Sequence, residues 1–167
     1  MKTLIINPPC EQGFDRSGRW PAKTAGGTVI EPLFLAYTAA VLEKEGLPVE
    51  LIDCRPSYIS QEELLKKFDE SVALAVLQTS TASINLDLAT AKKIKAAFPK
   101  CKIALVGSHV SILGKEIMEE NDCIDFAAKG EYEYTIRDLA KSLNEDRDAK
   151  NVLGLIGNAE RPYIENL

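Results

Sequence analysis

Apolar residues along this chain come in short unbroken runs, separated by longer segments in which they recur at helical spacing. The run Val72-Ala73-Leu74-Ala75-Val76-Leu77 organises the rest. A strand with one buried face alternates apolar and polar residues. This one does not, so it is expected to be covered on both faces, as a central strand of a parallel sheet. It then changes abruptly to Gln78, Thr79, Ser80, Thr81 and Ser83. Hydroxyl and amide groups bunched at the carboxyl end of a parallel strand lie where open α/β sheets bind ligands. The plainer alternative is that the hydroxyls cap the next helix through Ser83.

Other apolar runs predict strands at Thr3 to Ile6, Val49 to Ile52, Lys102 to Val106 and Ile124 to Ala128. The first is ended by Asn7-Pro8-Pro9, since two prolines cannot continue a ladder. Between the strands the period changes to that of a helix. Leu33, Tyr37, Ala40 and Val41 form one stripe, opened by Pro32 and stopped at Gly46. Ser60 and Glu63 make a capping box for a helix that buries Leu64, Leu65 and Phe68. Ile84, Leu88, Ala91, Ile94 and Phe98 mark a third helix, Ile112 to Glu119 a short fourth, and Tyr132, Ile136, Leu139 and Leu143 a fifth. Leu153 to Ile156 and Arg161 to Ile164 suggest a hairpin about Asn158-Ala159-Glu160. Cys10 to Ile30 shows no convincing period and holds Arg16, Arg19, the single Trp20 and several glycines. Loops of that length are uncommon unless functional or disordered.

Five strand–helix repeats imply right-handed crossovers and a parallel sheet. The expected fold is a flavodoxin-like (Rossmann-like) three-layer α/β sandwich, its five strands in the order 2-1-3-4-5. Residues 1–150 would form the domain and 151–167 a tail or hairpin. The ligand crevice would lie among the loops after Ile6, Leu77, Val106 and Ala128.

At 167 residues, 46% hydrophobic and 27% charged, the chain suits one ordinary globular domain. A net charge of −5 argues against nucleic acid as a partner. No apolar run has the length of a membrane span, and Met1-Lys2-Thr3 leads into a strand and not a signal peptide, so a cytoplasmic setting is expected. Cys10, Cys54, Cys101 and Cys123 are scattered, without the paired spacing of a zinc or iron–sulfur site, so no metal ligands are assigned.

Known chemistries of such sheets fit poorly. A phosphorylation receiver needs acidic residues where Asn7-Pro8-Pro9 and Gln78-Thr79-Ser80 stand; Lys129 alone matches its pattern. A flavodoxin needs a phosphate loop where the two prolines stand, and no G-x-G-x-x-G or Walker loop occurs. His109 is the only histidine, and no cysteine or serine has an evident base beside it. No catalytic residue is therefore assigned, and any chemistry must come with a cofactor.

Four segments carry a resemblance: Leu4-Ile5-Ile6-Asn7-Pro8-Pro9; Pro32 to Glu43 with Gly46 and Ile52-Asp53; Val106-Gly107-Ser108-His109-Val110-Ser111; and Lys129-Gly130-Glu131-Tyr132-Glu133. In order and spacing they resemble the N-terminal cobalamin-binding domain of the cobalamin-dependent radical SAM enzymes. That group includes methyltransferases and the anaerobic magnesium-protoporphyrin cyclase. The chain departs from the family pattern at Ser108 and Tyr132, where glycine is usual. The resemblance implies cobalamin-binding roles for Asn7, Pro8, Pro9, Thr79, Ser80, Thr81, Gly107, Ser108, His109, Lys129, Gly130 and Glu131. It implies a base-off, His-off corrinoid, because related domains of the methionine synthase type place their ligand histidine after the first strand. It also implies a radical SAM barrel of the same parent protein, which would hold S-adenosylmethionine and a 4Fe-4S cluster and carry out methyl transfer. The cluster's C-x-x-x-C-x-x-C motif is absent from these residues, so the chain is expected to be one domain of that enzyme. The alternative is a stand-alone flavodoxin-like sensor or interaction domain that binds no corrinoid.

Overall fold

The computed structural model describes residues 1–10, 14–15, 22–23 and 29–162. Its principal sheet contains β1 (Lys2–Asn7), β4 (Val49–Asp53), β5 (Val72–Gln78), β6 (Lys102–Val106) and β7 (Phe126–Ala127). The spatial order is β4-β1-β5-β6-β7 and every pairing is parallel, so in chain order these strands lie 2-1-3-4-5. Helices α1 (Leu33–Lys44), α2 (Gln61–Leu65), α3 (Ile84–Ala97), α4 (Val110–Glu120) and α5 (Glu133–Asn144) follow the strands in turn. Because the strands run the same way, all their carboxyl ends meet at one edge.

Both faces of the sheet are covered, as the unbroken apolar runs require. Leu74, Ala75, Val76 and Leu77 have no exposed surface. Successive side chains take opposite faces. Leu4, Ile6, Ala75, Leu77, Ile103 and Leu105 join one core with Leu64, Ala91, Ile94 and Ile117. Ile5, Leu74, Val76, Ala104 and Val106 join the other with Leu35, Leu42, Ile136 and Leu139. The Ser60 capping box forms as expected: its hydroxyl accepts from the Glu63 amide, and the Glu63 carboxylate from the Ser60 amide.

Several local expectations are corrected. The α1 stripe is different: Leu35, Thr38 and Leu42 are buried, whereas Leu33 and Tyr37 are more than half exposed. Leu33 to Leu42 is apolar almost all round, so periodicity could not choose its inner face. Ser83 occupies the N-cap position of α3 without making the cap bond; its hydroxyl donates to Asp87 Oδ2 at 2.7 Å instead. The last strand is only two residues long, Phe126–Ala127, although the Asp125 amide before it still donates to Ile103 O at 3.0 Å. Leu153 to Ile156, the first arm of the expected hairpin, forms turns. Leu155 bridges Ala128 in antiparallel fashion, and Gly154 N donates to Ala159 O. Tyr163 and Ile164 lie outside the described residues, as does most of the Cys10 to Ile30 segment. Within that segment, β2 (Phe14–Asp15) and β3 (Ala22–Lys23) pair antiparallel, a ribbon that no sequence period announced.

Candidate functional site

The carboxyl edge is built in two halves. On one side, Asn7 at the end of β1 donates from Nδ2 to Asp53 Oδ1 at 2.9 Å. The same oxygen accepts from the Arg55 amide at 3.0 Å, and the Cys54 amide donates to Asn7 O at 3.1 Å. One carboxylate thus locks the end of β1 to the turn after β4. Asn7, Pro8 and Pro9 are buried beneath this lock.

The other half ties together the ends of β5, β6 and β7. Thr79 donates to Val106 O twice, from its amide at 2.8 Å and from its hydroxyl at 2.9 Å. Gly107 follows with φ of +117°, and a Cβ there would sit 2.3 Å from Thr79 O. Its glycine is therefore demanded by the neighbouring backbone. Thr81 Oγ1 and His109 Nδ1 lie 3.1 Å apart, joining the next two loops. Ser111 then donates to Gly107 O at 2.9 Å and accepts from the Gly130 amide at 3.1 Å. Ser80 and Ser83 hydroxyls meet at 2.7 Å and run on to Asp87, all three buried. These bonds hold the loops in fixed register, which suits a preformed surface better than a moving one.

The sequence-predicted residues therefore divide. Thr79 and Ser80 are buried with Asn7, Pro8 and Pro9 and shape the floor. Thr81, Ser108, Lys129, Gly130 and Glu131 are exposed, and His109 is half-buried. Gly130 has φ of +67° and nothing within 4 Å of its missing Cβ, so its backbone can be approached from outside. Lys129 pairs with Glu160 at 2.6 Å beside a cleft of 480 Å³ lined by Gly130, Glu131, Tyr134 and Arg161. Tyr132, one of the two departures from the resemblance, is buried in the α1–α5 core, so its ring does not obstruct the edge. Burial raises its phenol above the ordinary value and likewise raises the Glu133 carboxyl.

Large apolar side chains also gather at helix starts on this edge. Leu33, Phe34 and Tyr37 of α1 are each more than half exposed, and Ile112 of α4 is 81% exposed. Leu113 beside it departs from helical geometry, with φ −111° and ψ 16°. A surface of fixed hydroxyls and amides flanked by apolar side chains suits a large ligand with apolar faces and a polar rim. Two participants escaped sequence reasoning. Ser111 was visible only as a second hydroxyl after Gly107. Arg55 gave no signal, since an arginine before Pro56 reads as an ordinary turn residue. It is 2% exposed, and its Nε, Nη1 and Nη2 have no hydrogen-bond partner among the described residues.

Comparison with known proteins adds the following. The family model described as B12 binding domain matches residues 21–140. An uncharacterized methyltransferase of Pyrococcus horikoshii is 31% identical, over 100% of this chain and 36% of its own length. The anaerobic magnesium-protoporphyrin IX monomethyl ester cyclase of Cereibacter sphaeroides is 28% identical, over 90% of this chain and 23% of its own. The chain thus spans about a third or less of these relatives. Among solved structures, the cobalamin-dependent S-adenosylmethionine radical enzyme OxsB with aqua-cobalamin bound superposes with a TM-score of 0.74 at 18% identity, over 97% of this chain and 22% of that one. The radical S-adenosylmethionine methyltransferase TsrM from Kitasatospora setae, with cobalamin and a [4Fe-4S] cluster bound, gives 0.70 at 19%, over 92% and 28%. These likenesses establish the shared fold.

Proposed function

The chain belongs to the B12-binding domain family, and from that premise we propose that it holds a cobalamin across the carboxyl edge of its sheet and presents it to a radical SAM domain for methyl transfer. The observation that carries the reading is the edge itself: rigid, rich in hydroxyls and amides, open at Gly130, and flanked by Leu33, Phe34, Tyr37 and Ile112. A corrinoid matches this inventory, having apolar ring faces, neutral amides around its rim and one phosphodiester in its tail.

Bound cobalamin would supply a cobalt centre able to carry a methyl group. The residues of this chain would bind and orient it. Thr81, Ser108 and His109 would meet amides of the rim, together with the Gly130 backbone. Thr79 and Gly107 would act by fixing the floor, since the Thr79 hydroxyl already donates to Val106 O. Lys129 and Glu131 would flank the exit toward the catalytic domain. That domain's C-x-x-x-C-x-x-C cluster motif should be encoded in the reading frame after Leu167.

The binding test is a titration of the purified chain with methylcobalamin, followed by absorbance and by ultrafiltration. Retention of the corrinoid is expected, with the long-wavelength band moving toward the base-off position. A corrinoid that passes through the filter at protein concentrations of order 10⁻⁴ M would return the chain to the sensor class.

Cobalt ligation gives a separate prediction. The only histidine follows β6, not β1, and its Nδ1 is held by Thr81. The place after β1, where the resemblance to domains of the methionine synthase type would put a ligand histidine, holds Asn7-Pro8-Pro9 instead. In the cobalt(II) state, electron paramagnetic resonance should therefore show no nitrogen superhyperfine splitting. Splitting that vanishes in His109→Ala would defeat the His-off assignment.

A further inference from the structure

Arg55 lies in the turn after β4, two residues beyond the carboxylate that clamps Asn7. The turn is tightly made: Tyr58 N donates to Arg55 O at 3.3 Å, Ile59 N donates to Cys54 O at 2.9 Å, and Tyr58 has φ of +48°. Among the described residues the guanidinium makes no hydrogen bond, and its carbon lies 5.3 Å from the centroid of the Tyr58 ring. That is the attraction of a cation for a ring face, and it leaves every N–H without an acceptor. Among the described residues all three nitrogens are buried without a hydrogen-bond partner.

Guanidinium does not deprotonate in proteins, so it cannot escape burial by losing its charge. Buried polar groups are almost always paired, and a fixed cation left without an acceptor weakens the folded state. A binding surface has a physical reason to keep such a group, because the missing acceptor arrives with the ligand. The turn belongs to the carboxyl edge and is locked to the end of β1 by Asp53. We infer that Arg55 is a ligand-binding residue whose guanidinium takes an acceptor oxygen of the corrinoid, a rim amide carbonyl or the tail phosphodiester. This rests on the cobalamin reading above and adds to it a donor that no motif marks.

The inference makes an unusual pair of demands on one substitution. Arg55→Met in the full chain should leave ligand-free stability equal to wild type or raise it, because an uncompensated charge is removed. The same variant should bind cobalamin about tenfold or more weakly. A structural arginine would do the opposite, losing stability while the folded variant kept its affinity. Arg55→Gln repeats both measurements with a neutral polar side chain, should methionine pack badly.

Urea unfolding without ligand gives the first quantity. Absorbance titration with cobalamin, and with cobinamide, which lacks the nucleotide tail, gives the second. Loss of affinity toward both corrinoids assigns Arg55 to a rim amide; loss toward cobalamin alone assigns it to the phosphodiester. Wild-type affinity in both folded variants overturns the inference and leaves the cobalamin reading standing. Failure of the wild-type chain to bind either corrinoid overturns both.

Discussion

Gly107→Val is expected to remove roughly 2–5 kcal/mol of stability, a large share of a folding margin of order 5–15 kcal/mol. Two effects add. A φ of +117° is a conformation that branched side chains rarely adopt, and its strain alone is worth about 1–3 kcal/mol. The added Cβ would then stand 2.3 Å from Thr79 O and 3.2 Å from Thr79 N. Neither atom belongs to a flexible side-chain tip. Thr79 is pinned by two bonds to Val106 O, the residue before Gly107, so the obstructing backbone and the glycine cannot separate without breaking them. Gly130→Ala is the control. It also has positive φ, but its missing Cβ faces open space, so the cost should be near 1–2 kcal/mol from backbone alone. Equal shifts of the urea midpoint in the two variants would show that the close approach at Thr79 does not matter.

The architecture was legible because a parallel sheet covered on both faces leaves unbroken apolar runs. Val72 to Leu77 and Lys102 to Val106 could hardly lie elsewhere. The Ser60 box was equally plain, since its two partners are three residues apart. What failed were choices that local sequence leaves open. Leu33 to Leu42 is apolar on nearly every side, so only packing against α5 and the sheet decides that Leu35 and Leu42 turn inward. Ser83 had the right identity for a cap, but the Asp87 carboxyl one turn later took its hydroxyl at 2.7 Å. The edge loops were placed correctly, whereas the division of labour within them was not readable. Thr79 and Gly107 address each other across neighbouring strands, and that relation exists only once β5 and β6 are side by side. Arg55 is the extreme case, for a buried guanidinium without a partner among the described residues is a property of surroundings and not of any motif.

Away from the carboxyl edge of the sheet, Asp125 is expected to carry a large share of the stability of the sheet's last strand. Its Oδ2 accepts from Lys95 Nζ at 2.7 Å and from the Ile103 amide at 2.9 Å, and its Oδ1 from Lys102 Nζ at 2.8 Å. One carboxylate thus joins α3, the start of β6 and the start of β7. Its side chain is only 15% exposed, so these bonds are partly shielded from water. Burial by itself would raise its pKa, but the bonds from Lys102, Lys95 and Ile103 outweigh that and hold the carboxyl below its ordinary value. Asp125→Ala leaves Lys95 with only its bond to Cys101 O and removes the side-chain acceptor of the Ile103 amide, a loss of about 2–3 kcal/mol at neutral pH after allowance for the exposed Lys102. Asp125→Asn keeps the shape and removes the charge, and it isolates the pH dependence. A carboxyl whose pKa is lowered by folding contributes in full above its unfolded value, near 3.9, and loses that contribution as pH falls through the folded value. The stability gap between wild type and Asp125→Asn should therefore be wide at pH 7 and close progressively below about pH 4. Urea unfolding of the pair at a series of pH values measures it, and a gap that stayed constant down to pH 2–3 would refute the charge-assisted account. Corrinoid affinity of the folded variants should match wild type throughout, because Asp125 precedes β7 at the opposite end of the sheet from Gly107 and Gly130.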